Sequence, residues 1–329
     1  MYTLKNKIKA KLYAYFFWQT NVGEYLNKLF DLSVFLKYSF RENRFKNKEN
    51  VEAFLTKQYH IIEKGLALPE SRKYFGKPKI KNLILEANKY IFRYGKDRIV
   101  KNIQDTLKVY LDRNIGLEEN DKYFYDLIAN FISGNNGESN GGVKRVQKLE
   151  IHNAINFDYE KFVKSRSSVR FFSTKNILDT DVHKAIEFAR FAPSVCNRQS
   201  WKVHYYKDRS IMDKLLKLQN GNNGFNQSIN KLLIVTSDVK RFTKLESNQI
   251  FVDGGLFAMS LLYSLHAQGI ASCCLNTCLP YVDELSIKNE GDIPSSERLI
   301  MMIGIGMHKD TYEVAISDRV SVEEILLQH

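Results

Sequence analysis

Apolar positions recur three and four residues apart through most of the first 130 residues. The stretches "VEAFLTKQYHIIEKGL" and "KIKNLILEANKYIFRYGKDRIVKNIQDTLKVYLDR" place Lys and Glu between those positions, a period that predicts amphipathic helices. No alternating segment of useful length interrupts them. Gly65 and Pro69 predict the end of one helix. The pattern then fails in "SGNNGESNGG", residues 133–142, where four Gly and three Asn predict a linker or mobile loop. The chain thus divides into a basic helical domain over 1–132, a Gly/Asn-rich linker over 133–148, and a second domain over 149–329.

Beyond the linker the periodicity mixes. "TDVHKAIEFARFA" has Val182, Ala185, Ile186 and Ala189 at helical spacing, with Asp179 or Thr180 as N-cap. "WKVHYY" and "KLLIVTS" predict strands, the second nearly all apolar and therefore central. "GGLFAMSLLYSLHAQG", residues 254–269, is apolar on most faces and closed by Gly269. Such a helix must be buried in a core or between subunits. "IASCCL" and "RLIMMIGIG" predict further strands. The "GIG" at 304–306 lacks the full GxGxxG spacing and a following helix, so it predicts a strand ending in close backbone packing. The fold class is α+β, an all-α domain preceding a sheet flanked by helices.

Charge changes the picture of the first half. The chain of 329 residues carries a net charge of +12. Residues 1–150 hold 28 Lys and Arg against 17 Asp and Glu, a net of +11, which leaves +1 for the rest. A basic half suits nucleic acid, anionic lipid or an acidic partner. Its charges are spread along helices without base-stacking or base-reading motifs, so no nucleic acid is expected as partner. Lys5, Lys7, Lys9 and Lys11 precede "LYAYFFW", residues 12–18. That run is too short to span a bilayer and no cleavage signature follows it. It predicts either a helix packed on its own domain or a peripheral contact of residues 1–45 with a membrane or a membrane protein. His60, Glu63 and Lys64 lie on neighbouring helical turns and are read as surface pairing. The four cysteines, Cys196, Cys273, Cys274 and Cys278, form no regular framework, which points to free thiols in a reducing, cytoplasmic setting. Paired CxxC spacing is missing, so no metal is expected.

Candidate chemistry gathers in three places. "SRSSVRFF", residues 165–172, sets Arg166 and Arg170 around serine hydroxyls. "APSVCNRQSW", residues 192–201, follows one helix later, with Pro193 ending that helix and Ser194, Asn197 and Gln199 supplying hydrogen-bonding groups. "ISDRVSVEEIL" puts Arg319 in a loop before a last short helix. Three loop arginines suit a phosphate, because the guanidinium fork makes bidentate charge-assisted bonds. The amide-rich turn suits a flat hydrogen-bonding head.

Over residues 158–329 the chain resembles the nitroreductase family of FMN-dependent oxidoreductases. "RSSVR" is similar to the family's Arg-x-Ser-x-basic opening, and "APSVCNRQSW" to its Pro-Ser-x-x-Asn-x-Gln-Pro-Trp turn. The apolar helix ending at Gly269, with "IASCCLN" after it, resembles its central helix and following strand. The resemblance implies a dimeric fold with a mixed sheet flanked by helices. It implies that Arg166, Ser167, Ser168 and Arg170 line the FMN site, Arg166 at the phosphate and ribityl end and Arg170 near flavin N1 and O2. Pro193, Ser194, Val195 and Asn197 would come from the partner subunit of a homodimer, and Gln199 would also belong to the cofactor site. Cys274 and Leu275 would border the ring through backbone groups, and Arg319 would complete the phosphate clamp. The flavin would carry hydride from NAD(P)H to a small nitro, quinone or enone acceptor, so no protein nucleophile is demanded and none of the Ser–His or Cys–His kind is expected. Departures are Ser200 in place of Pro and Ser167 in place of Arg or His. A further ring-contacting residue is open among Asn223, Asn226 and Gln227. The helical extension resembles those of nitroreductase-like proteins associated with bacterial surface-polysaccharide synthesis. A non-catalytic flavin-fold scaffold or flavin holder is the alternative function.

Overall fold

The computed structural model describes residues 12, 15, 20–42, 44–69, 72–134 and 141–329. Helices Lys48–Ala67, Lys77–Tyr94, Arg98–Arg113 and Lys122–Ile132 form the first body. Their apolar faces meet in one core that includes Leu55, Ile62, Ile80, Leu83, Ile103, Leu107, Tyr110 and Phe124. The long helical stretch at 79–113 is two helices, broken at Gly95, whose φ of 82° lies in the left-handed region. Caps start them: Asn47 accepts from Asn50 N and Asp97 from Ile99 N.

Gly65 does not end its helix, which runs on to Ala67. A Cβ at Gly65 would lie 2.4 Å from the Phe75 ring, so glycine there serves a close approach, and the stop comes from the extended Leu68 and Pro69 beyond it. Glu63 does pair with His60, at 3.0 Å. Its other oxygen accepts from Gly142 N, also at 3.0 Å, so this carboxylate ties the end of the glycine-rich stretch to the helical body.

The second body has four strands: β1 (Trp201–Tyr206), β2 (Lys231–Asp238), β3 (Ile270–Leu275) and β4 (Glu297–Met307). Their order is β1-β2-β4-β3, and every pair is antiparallel. The mixed character expected of the sheet is confined to a single parallel bridge, Ser168 to Ser272 on the β3 edge. β2 is interior and buried along its length apart from Lys231, as its unbroken apolar run implies. β4 continues through "GIG" to Met307. A Cβ at Gly306 would sit 2.5 Å from Phe172, which explains glycine in mid-strand.

The helix Gln249–Ala267, hereafter the central helix, packs on all four strands. It is long and apolar enough by composition to cross a membrane, yet it is the core of this body. Trp201 stacks on its Phe257 at 4.8 Å, fixing β1 over it. The helix before β1 is Asp179–Ala189, with extended Leu178 rather than Asp179 or Thr180 in the cap position. Asp179 instead binds Tyr205 and Lys207.

The two bodies are joined by polar contacts. Glu49 pairs with Lys240 at 2.9 Å, Glu52 with Arg241 at 2.7 Å, and Asn50 Nδ2 donates to Lys240 O. The helix Asn21–Tyr38 belongs in sequence to the first half but packs on the second. Its Val34 and Phe35 share a cluster with Val239, Phe242 and Ile250, and Asp31 pairs with Arg298 at 2.6 Å.

Candidate functional site

The arginine segment follows the short helix Tyr159–Ser165 and runs along the β3 edge. Val169 N donates to Ser272 O at 2.9 Å, and the Val169 side chain is buried. Alternation about that buried residue turns Ser168 and Arg170 to the other side. Arg166, Ser167 and Ser168 are half-buried and Arg170 is exposed. Among the described residues neither Arg166 nor Arg170 has a carboxylate partner, whereas Arg198, Arg209, Arg241 and Arg298 are all paired. Two guanidinium groups on one segment, neither with a carboxylate partner among the described residues, favour an anion.

The same charges reach β3. Burial pushes the Cys273 and Cys274 thiols up, and the field of Arg166 opposes that at both, joined by Arg170 at Cys273. Cys274 is half-buried and Leu275 is buried opposite Met302. The loop after Phe225 also belongs here: Ser228 Oγ is 3.4 Å from Arg170 O, which sets the Asn226–Ser228 turn beside the segment, with Gln227 and Asn223 exposed. Among the described residues no group of three or more His, Cys, Asp or Glu is placed to hold a metal ion.

A Ser–His contact does exist, which the sequence did not lead one to expect. Ser165 Oγ and His266 Nε2 are 2.8 Å apart. Ser165 already donates to Phe162 O, so its oxygen accepts from His266, the reverse of nucleophile activation. His266 and His308 are both held below the usual histidine value, by burial first and, at His266, by the charges of His308 and Arg166. A depressed folded value means that folding favours the neutral ring. The stability this contributes is complete above the ordinary value of 6.5 and is lost as pH falls through the depressed one. The melting temperature is therefore expected to fall as pH drops below 6.5. His266→Asn should flatten that drop in a calorimetric or dichroism scan; an unchanged slope would remove His266 from it.

The amide turn lies elsewhere. Cys196, Asn197 and Gln199 all have φ near +50°, unusual for residues other than glycine. Strain of that kind needs anchors. Val195 N donates to both oxygens of Asp253, Gln199 N donates to Ser194 Oγ at 3.0 Å, and buried Arg198 pairs with Glu246 at 2.6 Å. Burial pushes the Asp253 carboxyl up, with Gln249 and Val195 N opposing. Ser200 is buried, its Oγ 2.8 Å from Ser237 Oγ and its carbonyl accepting from Asp238 N, so the turn is clamped where the resemblance has Pro. Asp253, Arg198 and Glu246 went unread in the sequence; the one available signal was an aspartate inside an otherwise apolar helix.

The protomer does not bring the two clusters together. Asp253, under the amide turn, and His266, beside Ser165, are thirteen residues apart on the central helix, about 20 Å along its axis. Arg319 is exposed and, among the described residues, its hydrogen bonds go to the carbonyls of Ser317 and Asp318 in its own loop.

Comparison with known proteins finds similarity in the second body. The model of the Nitroreductase family matches residues 163–238, a span that holds both the arginine segment and the amide turn. A protein of Archaeoglobus fulgidus, described as "Putative NADH dehydrogenase/NAD(P)H nitroreductase", is 34% identical over 55 residues, 17% of this chain and 32% of its own. The chain thus spans about a third of the length of that curated relative. Two solved structures superpose on about half of the chain. The putative nitroreductase ydfN of Bacillus subtilis has a TM-score of 0.47 at 20% identity, over 52% of this chain and 98% of its own. A putative nitroreductase in complex with FMN, from Desulfovibrio desulfuricans, has a TM-score of 0.45 at 17% identity, over 52% and 95%. The match to the Nitroreductase family model thus falls within the α+β body, and the helical first body lies outside it.

Proposed function

We propose that the protein is an FMN-dependent oxidoreductase that passes hydride from NAD(P)H to a small organic acceptor of nitro, quinone or enone type. The observation that carries this reading is that Arg166 and Arg170, on the β3 edge inside the family-matched segment, have no carboxylate partner among the described residues. Bound there, FMN supplies the hydride chemistry. Arg166, with the hydroxyls of Ser167 and Ser168, holds the phosphate and ribityl end by charge-assisted and neutral hydrogen bonds. Arg170 stabilises the negative charge that reduction puts on the flavin head. The amide turn, held rigid by Asp253 and the Arg198–Glu246 pair, presents its polar groups to the flavin of a partner subunit.

A homodimer is part of the same reading. The central helix exposes Val252, Leu256 and Met259, one apolar stripe interrupted by Gly255, around which a Cβ would meet nothing within 4 Å. A two-fold pairing through such a stripe places one protomer's arginine segment by the other's turn. Four free cysteines suit a reducing cytoplasmic setting. A place beside surface-polysaccharide synthesis belongs to this reading through the helical extension alone.

The test is the visible spectrum. The purified protein is expected to be yellow, with a flavin band that bleaches on anaerobic addition of NADH or NADPH. A colourless protein that takes up no FMN would end the flavin reading. A yellow protein that neither nucleotide bleaches would leave a flavin holder.

A further inference from the structure

We propose that the helical first body is the outer support of the amide turn, with Glu49 and Glu52 as positioning residues for it. The helix Lys48–Ala67 packs on two short turns of the second body, the amide turn at Val195–Asn197 and the turn Val239–Arg241. The latter opens a connecting stretch, residues 239–246, that is held from both sides. On the side of the first body, Glu49 pairs with Lys240 at 2.9 Å and Glu52 Oε2 with Arg241 at 2.7 Å. The other Glu52 oxygen accepts from the hydroxyl of Tyr90, a core residue of the first body. Asn50 is buried; its Nδ2 donates to Lys240 O at 2.7 Å and its Oδ1 accepts from Lys46 N. Phe40, buried in the same core, donates its N–H to Phe242 O at 3.1 Å.

On its other side the same stretch holds the amide turn. One oxygen of Glu246 pairs with Arg198 at 2.6 Å and the other accepts from Thr243 N at 2.7 Å. The Arg198 guanidinium lies over the Phe242 ring at 5.5 Å, and its Nε donates to Val195 O. The Arg198 side chain is wholly buried, so water cannot replace these partners. Left-handed Cys196, Asn197 and Gln199 keep their geometry only while the surroundings impose it. Asp253 anchors the start of the turn from the central helix. Arg198 anchors its end, and the stretch that fixes Arg198 is itself fastened by Glu49, Asn50, Glu52 and Phe40. A continuous line of contacts thus runs from the core of the helical body to the strained turn. The support owes nothing to the lysines and rings of residues 5–18 expected at a membrane, which, Tyr15 apart, lie outside the described residues.

The support is read without flavin, by hydrogen–deuterium exchange of the full chain; only its effect on FMN rests on the function proposed above. In the parent the turn is protected, because Val195, Asn197, Arg198 and Gln199 all donate their amides to hydrogen bonds. Glu49→Gln with Glu52→Gln removes both ion pairs with little change of shape. It should speed exchange over residues 194–200 about tenfold and leave β3 as slow as in the parent. Glu86→Gln, at a carboxylate of the first body that pairs with Lys89 on its own helix, is the control and should change neither. Arg241→Gln added to Glu52→Gln should go no further than Glu52→Gln alone, since both cut the same pair. Circular dichroism confirms that each variant is folded. The proposal is overturned by a folded Glu49→Gln/Glu52→Gln variant whose turn exchanges as slowly as the parent's. It is overturned equally by exchange that quickens as much in β3, which would be general loosening. A loosened turn should also lower FMN affinity. A loosened turn with FMN affinity intact would keep the support and remove the turn from the flavin site.

Discussion

Arg166→Ala is expected to weaken FMN binding by about ten- to a hundredfold, while Arg72→Ala leaves it unchanged. The size follows from the loss of a charge-assisted bond, about 1.5–3 kcal/mol. The contrast follows from position. Arg166 is half-buried beside the β3 edge and its field is felt at Cys273 and Cys274. Arg72 is exposed in the loop between two helices of the first body. Because Arg166 has no ion-pair partner among the described residues, its removal breaks no internal contact of that kind. Folding stability should therefore hold while affinity falls, a separation that equilibrium dialysis and a thermal scan together would read. Equal FMN affinity in the two variants would remove Arg166 from the clamp, whatever the spectrum showed.

The helices of the first body and the four strands were legible because each carries its period in its own residues. The arginine segment was legible for a related reason: its groups lie close together in sequence, and one buried valine, Val169, turns Ser168 and Arg170 to the opposite side. What was not legible depends on partners distant in sequence. Gly65 looks like a helix stop until Phe75 is seen over it. The helix Asn21–Tyr38 reads as part of the helical half, yet Asp31 and Phe35 find their partners near residues 298 and 242. Periodicity reports that a face is apolar and not what covers it. The amide turn was legible as composition, but its geometry rests on Asp253 and Glu246, which are some fifty residues further on and have no local pattern. Arg319 was legible as a residue type and not as a position. Its residue type suits a phosphate, but it stands in a loop whose neighbours are all exposed.

The interval of about 20 Å between the ends of the central helix leads to the second large effect. If the arginine segment and the amide turn serve one flavin, they must come from different protomers, and breaking the pairing should strip the cofactor as well. Leu256→Asp with Met259→Asp puts two carboxylates on the exposed apolar stripe of the central helix, where each would face its own symmetry mate in a two-fold pairing. Burying unpaired like charges costs more than the apolar contacts they replace return. Both side chains are more than a third exposed in the single chain, so the protomer itself should fold. The parent is expected to be a dimer by multi-angle light scattering and the double variant a monomer. FMN affinity in the variant should fall at least as far as in Arg166→Ala, by about a hundredfold or more, since every flavin loses the partner's turn and the shelter of the interface together. A parent that is a stable monomer and still holds FMN would refute the shared site, as would a variant that turns monomeric with its flavin affinity intact. In either case a single protomer would have to close the 20 Å interval by itself, and the exposed C-terminal stretch carrying Arg319 would be the part free to do so.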